Sequence, residues 1–142
     1  MGEGVTHLNA TLTRLERIHV AGGDVLKALD SGDPFFNGFG EAYFSFVKHN
    51  FIKSWRCHRR ATLNLIVPIG AVQFVTTLDG GEYSEFALSP DDNFCRLTVP
   101  PGVWLAFRGI GKNQNLILSI SDLPHSPLES ECHTLEHFSY DW

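Results

Sequence analysis

Eight short apolar segments follow one another between residues 41 and 121, and a turn signal separates each segment from the next. Runs of this length, rich in Val, Ile, Phe and Thr, are typical of β-strands, and the breaks at 68–70, 79–81 and 100–102 carry Pro and Gly. Close and even spacing predicts an all-β fold, a sandwich or a barrel of the jelly-roll kind. The predicted strands are 41–49, 52–56, 61–68, 71–78, 83–88, 94–99, 104–108 and 115–121.

The two ends of the chain differ from this pattern. Apolar residues at Val5, Leu8, Leu12 and Leu15 predict a short helix or an irregular N-terminal arm. After residue 122, aromatic residues return at the end of the chain and predict a C-terminal arm that covers the barrel mouth or contacts another subunit. We expect one domain over residues 1–142, because the chain is long enough to bury its own core.

Composition excludes several partners. A net charge of -5 argues against a nucleic-acid partner, which a basic face would bind. No apolar run approaches the roughly 20 residues that a membrane-spanning helix needs. Three widely spaced cysteines and no apparent secretory leader lead us to expect a cytoplasmic protein.

Polar residues alternate with apolar ones along 55–67. Continuous strand alternation would place five polar side chains on one side of the strand, and such a stripe inside a barrel predicts a pocket for an anionic or hydroxyl-rich ligand. A solvated outer face is the alternative, since a bulge that shifts the register by one residue would turn the stripe outward. The stripe consists of Arg56, His58, Arg60, Thr62 and Asn64.

Metal binding is not expected. A barrel of this type would need a His-x-His pair, an acid four or five residues later and a further His after a Pro-x-Gly turn. His58 is the one matching ligand, while Arg56 and Leu105 occupy two of the other positions. We therefore predict no metal and no cofactor.

Several segments resemble the RmlC-like cupins, the family of dTDP-4-dehydrorhamnose 3,5-epimerases and sugar 3,4-ketoisomerases. The resemblance covers roughly residues 15–142 and is carried by 40–45, 52–55, 96–104 and 140–142. It implies a cupin-type jelly-roll β-barrel with short N-terminal and C-terminal arms. It also implies a metal-independent homodimer, assembled through sheet extension or strand exchange at the N-terminal arm, that acts on nucleotide-linked 4-keto sugars.

The resemblance also implies roles for particular residues. Lys53 matches the cation that binds the diphosphate, whereas Arg56 replaces the epimerases' base and His58 matches the second histidine of the ketoisomerases' pair. Leu123 and Pro124 occupy the place of the epimerases' tyrosine acid. His58 is therefore the expected catalytic base, because arginine stays protonated. The expected substrate-binding residues are Lys53, Arg56, Arg60, Asn64, Arg96 and Trp104, and the other histidines at 49, 125, 133 and 137 are expected at the surface.

Two functions follow from these expectations. The first is a metal-independent nucleotide-sugar epimerase or isomerase that moves a proton next to a ketone, with a dTDP-linked sugar as substrate. The second is a catalytically lapsed cupin that binds a sugar nucleotide or another small anion. A structural module with a dry barrel is a third reading.

Overall fold

The computed structural model describes residues 4–6 and 9–142, and within them the fold is all-β apart from a 3-10 helix at Leu135–His137. No helix in this part of the chain is long and apolar enough to cross a bilayer. The strands are β1 Gly4–Thr6, β2 Thr11–Arg14, β3 Arg17–Ile18, β4 Val25–Leu26, β5 Glu41–Phe46, β6 Ile52–His58, β7 Leu63–Ile69, β8 Val72–Thr77, β9 Tyr83–Leu88, β10 Cys95–Val99, β11 Trp104–Gly109, β12 Leu116–Ser121 and β13 Ser130–Cys132.

The strands form two main sheets with the apolar core between them. A six-stranded sheet has the order β1-β2-β10-β7-β12-β5, and a five-stranded sheet has the order β13-β6-β11-β8-β9. Fully buried residues from both sheets meet in one core cluster, for example Val67 and Leu97 from the first and Phe74 from the second. Alternate residues of each strand therefore face the other sheet, on the inner face, or point away from it, on the outer face.

All eight strands predicted between residues 41 and 121 are present, with ends shifted by at most three residues. The strand alternation and the turn residues that identified them are local signals, which explains this agreement. The helix or irregular arm predicted over residues 5–18 is wrong for the described residues, because β2 pairs with β10 and β1 pairs with β2. Leu8 lies outside the described residues.

The end of the chain packs on the outer face of the five-stranded sheet. Strand β13 pairs with β6, and Phe138, Tyr140 and Trp142 then form a cluster with the fully buried Trp55. The predicted C-terminal arm thus covers a sheet face.

Candidate active site

A cavity of about 340 Å³ lies between the two sheets, within the range usual for small-molecule sites. Its apolar wall comes from inner-face residues of three strands and one adjoining turn: Leu63, Leu65, Val99, Val103, Leu105 and Phe107. Its polar groups come mainly from β5 and β6 and from the end of β13: Tyr43, Ser45, Lys53, Arg56, His58, Ser119, Cys132 and His133.

A second cavity of about 300 Å³ adjoins the first and is more polar. Four residues line both cavities: Tyr43, Arg56, His58 and Leu63. The remaining wall of the second cavity comes from Glu41, from the end of β12 and from the chain that follows β12, and it includes Ser121, Leu123, His125, Ser126, Glu129 and Ser130. Arg56 and His58 therefore stand where the two cavities meet.

A β-bulge in β6 brings Lys53 and Arg56 to the same cavity. Arg56 lies opposite Leu105 of β11 and Lys53 lies opposite Phe107, so three steps along β6 match two steps along β11. Regular alternation would have placed residues 53 and 56 on opposite faces, and the extra residue corrects this. Lys53 Nζ donates a hydrogen bond to Ser45 Oγ of the facing sheet at 3.2 Å.

His58 presents a desolvated imidazole to both cavities. Within the residues that the structure describes, neither ring nitrogen has a hydrogen-bond partner, and both are buried. Burial first, and then the charge of the neighbouring Arg56, lower the pKa of His58 below its ordinary value. The imidazole is therefore neutral near pH 7, with one ring nitrogen able to accept a proton.

The polar stripe predicted along one continuous strand is interrupted after His58. Glu129 Oε2 accepts hydrogen bonds from the backbone N–H groups of Arg60 and Ala61, both at 2.7 Å, and so holds the chain in a turn between β6 and β7. These hydrogen bonds also lower the pKa of Glu129. The turn reverses the alternation, so Leu63 and Leu65 face the cavity.

Four of the predicted substrate-binding residues lie outside both cavities, so their predicted placement in the pocket is wrong. The Arg60 side chain is 79% exposed and lies 3.5 Å from a Glu129 oxygen. Asn64 and Arg96 lie on the outer face of the six-stranded sheet, where Arg96 pairs with Asp33 at 2.7 Å. The Trp104 ring lies on the outer face of the five-stranded sheet, 4.9 Å from the His133 ring.

Lys53, Arg56 and His58 are the predicted site residues that the structure does bring together. Tyr43 and Ser45 of β5 also line the cavity and were not among the predicted site residues, although their alternation with Phe44 and Phe46 is visible in the sequence. Exposure is higher on the outer face, where Phe44 and Phe46 are 65% and 58% exposed, than at Tyr43, which is 39% exposed.

Two histidines expected at the surface line the cavities. His133 lines the first cavity and His125 the second, because the chain after β12 returns to pair with β6. No local signal in the sequence indicates that pairing. Within residues 4–6 and 9–142, no three His, Cys, Asp or Glu side chains are grouped in a way that could hold a metal ion. Metal independence stays a prediction.

No family model and no curated protein sequence matches this chain. Among solved structures it is similar to a dTDP sugar isomerase from Desulfovibrio desulfuricans G20, with 33% identity, a TM-score of 0.89 and coverage of 94% of this chain and 90% of that chain.

Two further solved structures share the fold. One is a dTDP-4-dehydrorhamnose 3,5-epimerase from Sulfolobus tokodaii, with 16% identity, a TM-score of 0.83 and coverage of 97% of this chain and 85% of that chain. The other is a sugar 3,4-ketoisomerase from Thermoanaerobacterium thermosaccharolyticum in complex with TDP, with 15% identity, a TM-score of 0.71 and coverage of 89% of both chains.

Proposed function

The chain belongs to the RmlC-like family of dTDP-sugar isomerases and epimerases, and we propose that it moves a proton next to the ketone of a TDP-linked 4-keto-6-deoxy sugar. One observation carries this proposal: a desolvated histidine that has no hydrogen-bond partner among the described residues lies beside an arginine where two cavities meet. The similar ketoisomerase was solved in complex with TDP, which supports a nucleotide-sugar ligand for this chain as well.

His58 acts as the base in this reaction. Its neutral imidazole takes the proton from the carbon beside the ketone, and the electrons of that C–H bond move to the carbonyl oxygen to give an enolate. A guanidinium has no acceptor and cannot serve as this base, so Arg56 acts with Lys53 in stabilising the enolate or the diphosphate in the cavity that both line. The largely apolar wall strengthens these interactions because it excludes water from the charges.

Tyr43 supplies the proton that completes the reaction. It lies on β5 of the six-stranded sheet, whereas His58 lies on β6 of the five-stranded sheet, and both line both cavities. A sugar held between the sheets would therefore have the base on one side and a phenolic hydroxyl on the other. Return of a proton to the same carbon from the second side inverts that carbon. Return of a proton to the former carbonyl carbon, with transfer of the neighbouring hydroxyl's proton to the enolate oxygen, moves the ketone.

Solvent exchange tests this function directly. The protein is incubated with TDP-4-keto-6-deoxyglucose in D₂O, and deuterium at the carbons beside the ketone is followed by NMR and mass spectrometry. We expect exchange with the wild type and a loss of about 10²–10⁴-fold with His58→Asn, the usual contribution of a general base. Tyr43→Phe should keep the exchange at His58 but slow formation of the isomerised sugar.

His19→Asn is the matched control, since His19 is 81% exposed and lies outside both cavities. It should exchange at the wild-type rate, and the thermal midpoints of both histidine variants confirm that they are folded. Undiminished exchange in folded His58→Asn would contradict the role of His58. Absence of exchange in the wild type would contradict the enzymatic function.

A catalytically lapsed cupin that only binds the sugar nucleotide is the second candidate. The observation that favours it is the lack, among the described residues, of a carboxylate hydrogen-bonded to a ring nitrogen of His58, since such a partner usually orients a catalytic histidine. Binding without chemistry would appear as thermal stabilisation by TDP, worth about 2.7 kcal/mol at 100 times the dissociation constant, with no deuterium incorporation.

We also propose the finer structural expectations. The two sheets form the jelly roll of the cupins in one domain over residues 1–142, and the protein is a cytoplasmic homodimer. β1 and β5 form the two edges of the six-stranded sheet, so a partner's strand could extend the sheet at the N-terminal arm. Sedimentation velocity would distinguish this dimer from a monomer.

A further inference from the structure

The bulge in β6 is an irregular feature that the site depends on. It places Lys53 on the same face as Arg56. Ser54 and Trp55, which lie between them, together oppose a single residue of β11 and so form the bulge. A bulge interrupts the hydrogen-bond ladder of its strand, so other contacts must stabilise it.

The C-terminal segment, residues 133–142, makes those contacts. The backbone N–H of His133 donates to the carbonyl of Trp55 at 3.0 Å, and Ser54 Oγ donates to the carbonyl of His133 at 2.5 Å. Ser54 and Trp55 are thus both hydrogen-bonded to His133, the first residue of the segment.

Aromatic packing fixes the bulge from the outer face. Trp55 is 0% exposed, and its ring lies 5.2 Å from the ring of Phe138 in an edge-to-face arrangement and 6.2 Å from that of Trp142. Within the described residues its indole N–H has no hydrogen-bond partner, so ring packing holds the side chain.

We propose that the C-terminal segment is a positioning element for the cationic side of the site: by holding the bulge at Ser54 and Trp55, it fixes Lys53 relative to Arg56 and so sets the affinity for the diphosphate of the ligand. This inference rests on the proposed function for the identity of the ligand, whereas the placement of Lys53 by the C-terminal segment does not depend on that function. Phe138 lies outside both cavities and acts through Trp55 and the backbone of β6, whereas Ser54 itself lines the first cavity and serves only as the second variant.

A double-mutant cycle on TDP affinity tests the proposal by calorimetry. Phe138→Ala should weaken TDP binding about tenfold, the size of one charge-assisted contact. In the Lys53→Met background, the same substitution should change the affinity by less than about twofold, because the group it misplaces is already gone. Phe138→Tyr keeps the ring and should restore wild-type affinity.

Leu15→Ala is the matched control, since it truncates a buried apolar residue of the six-stranded sheet's outer face. It lowers stability without touching β6, so TDP affinity should be unchanged. Ser54→Ala is the milder second variant and should weaken binding in the same coupled manner if Phe138→Ala does not fold. Equal losses in the Lys53 and Lys53→Met backgrounds would overturn the proposal.

A readout without ligand separates this inference from the proposed function. The chain has four lysines, and reductive methylation with ¹³C-formaldehyde gives each a separate NMR signal. The Lys53 signal, assigned with Lys53→Arg, should shift in Ser54→Ala and Phe138→Ala, whereas the Lys27 signal should not. An unmoved Lys53 signal overturns the inference, while a shifted signal in a protein that does not bind TDP leaves it standing and contradicts the proposed function alone.

Discussion

The buried ion pair of Arg96 and Asp33 yields a prediction that decides between a structural and a ligand-binding role. The side chains are 0% and 1% exposed, and Arg96 Nη2 donates to Asp33 Oδ2 at 2.7 Å. Arg96 also donates to Asn64 Oδ1 and to the carbonyl of Ala28, while Asp33 Oδ1 accepts the N–H of Phe35. The pair therefore fastens residues 28–35 to the outer face of β10.

Asp33→Ala should destabilise the protein severely. It leaves a guanidinium in the interior without a counter-charge, and breaking a buried pair from one side costs about 3–5 kcal/mol. Domains of this size have only about 5–15 kcal/mol of stability, so the loss is a large part of the total. Urea unfolding followed by tryptophan fluorescence at 25 °C should show the midpoint falling with little change in slope.

The double variant Asp33→Ala/Arg96→Met should regain most of that loss. An apolar side chain replaces the uncompensated charge, and exchanging a buried ion pair for apolar residues is often close to neutral. Asp91→Asn is the control: Asp91 meets Arg17 at 2.9 Å, but its side chain is 81% exposed, so unfolding should stay near that of the wild type.

A different set of results would refute the structural role. Asp33→Ala with wild-type stability would show that the pair does not hold the fold. The Arg96→Met variant is also informative. If it keeps its unfolding midpoint but no longer binds TDP, Arg96 binds the ligand, as predicted from the sequence.

Three further predictions concern the site itself. Arg56→Gln removes a positive charge that lowers the pKa of His58, so that pKa should rise in an NMR titration, and the acid limb of the exchange rate should move to higher pH; an unmoved titration would mean that burial alone sets it. Gly40→Ala would bring a Cβ within 2.4 Å of three Leu123 backbone atoms, so it should destabilise the fold by about 1–3 kcal/mol. It should also weaken TDP binding if the ligand extends from the first cavity into the second, which Leu123 lines; intact affinity would exclude that loop from the ligand site. Arg60→Ala should leave TDP affinity within twofold of wild type by calorimetry, because the side chain points into solvent; a tenfold loss would show that it reaches the ligand.

The strands could be predicted because their signals are local. Alternation over a few residues and a Pro or Gly at most of the turns depend only on near neighbours, and they identified every strand between residues 41 and 121. The same local rule placed Arg56 and His58 on the cavity side of β6 correctly.

The rest of the site depends on residues far apart in the chain. Glu129 lies about 70 residues from the turn that it holds at Arg60 and Ala61, and this turn reversed the expected orientation of Asn64. The bulge at Ser54 is stabilised by the chain near His133. A single inserted step changes the face of every later side chain, so alternation alone could not place these residues.

Arg56, which stands where the resemblance to the family implies a base, accounts for the charge beside His58. An arginine at position 56 cannot accept a proton. Its charge nevertheless lowers the pKa of His58, two residues further along the same face, and so favours the neutral imidazole that can act as a base. In the proposed reaction the same charge is available to an enolate oxygen once His58 has taken a proton, and the imidazolium that forms beside Arg56 is unfavourable and loses that proton to solvent readily. An arginine at position 56 is therefore compatible with the proposed proton transfer, provided that the sugar reaches His58 from the cavity that Arg56 also lines.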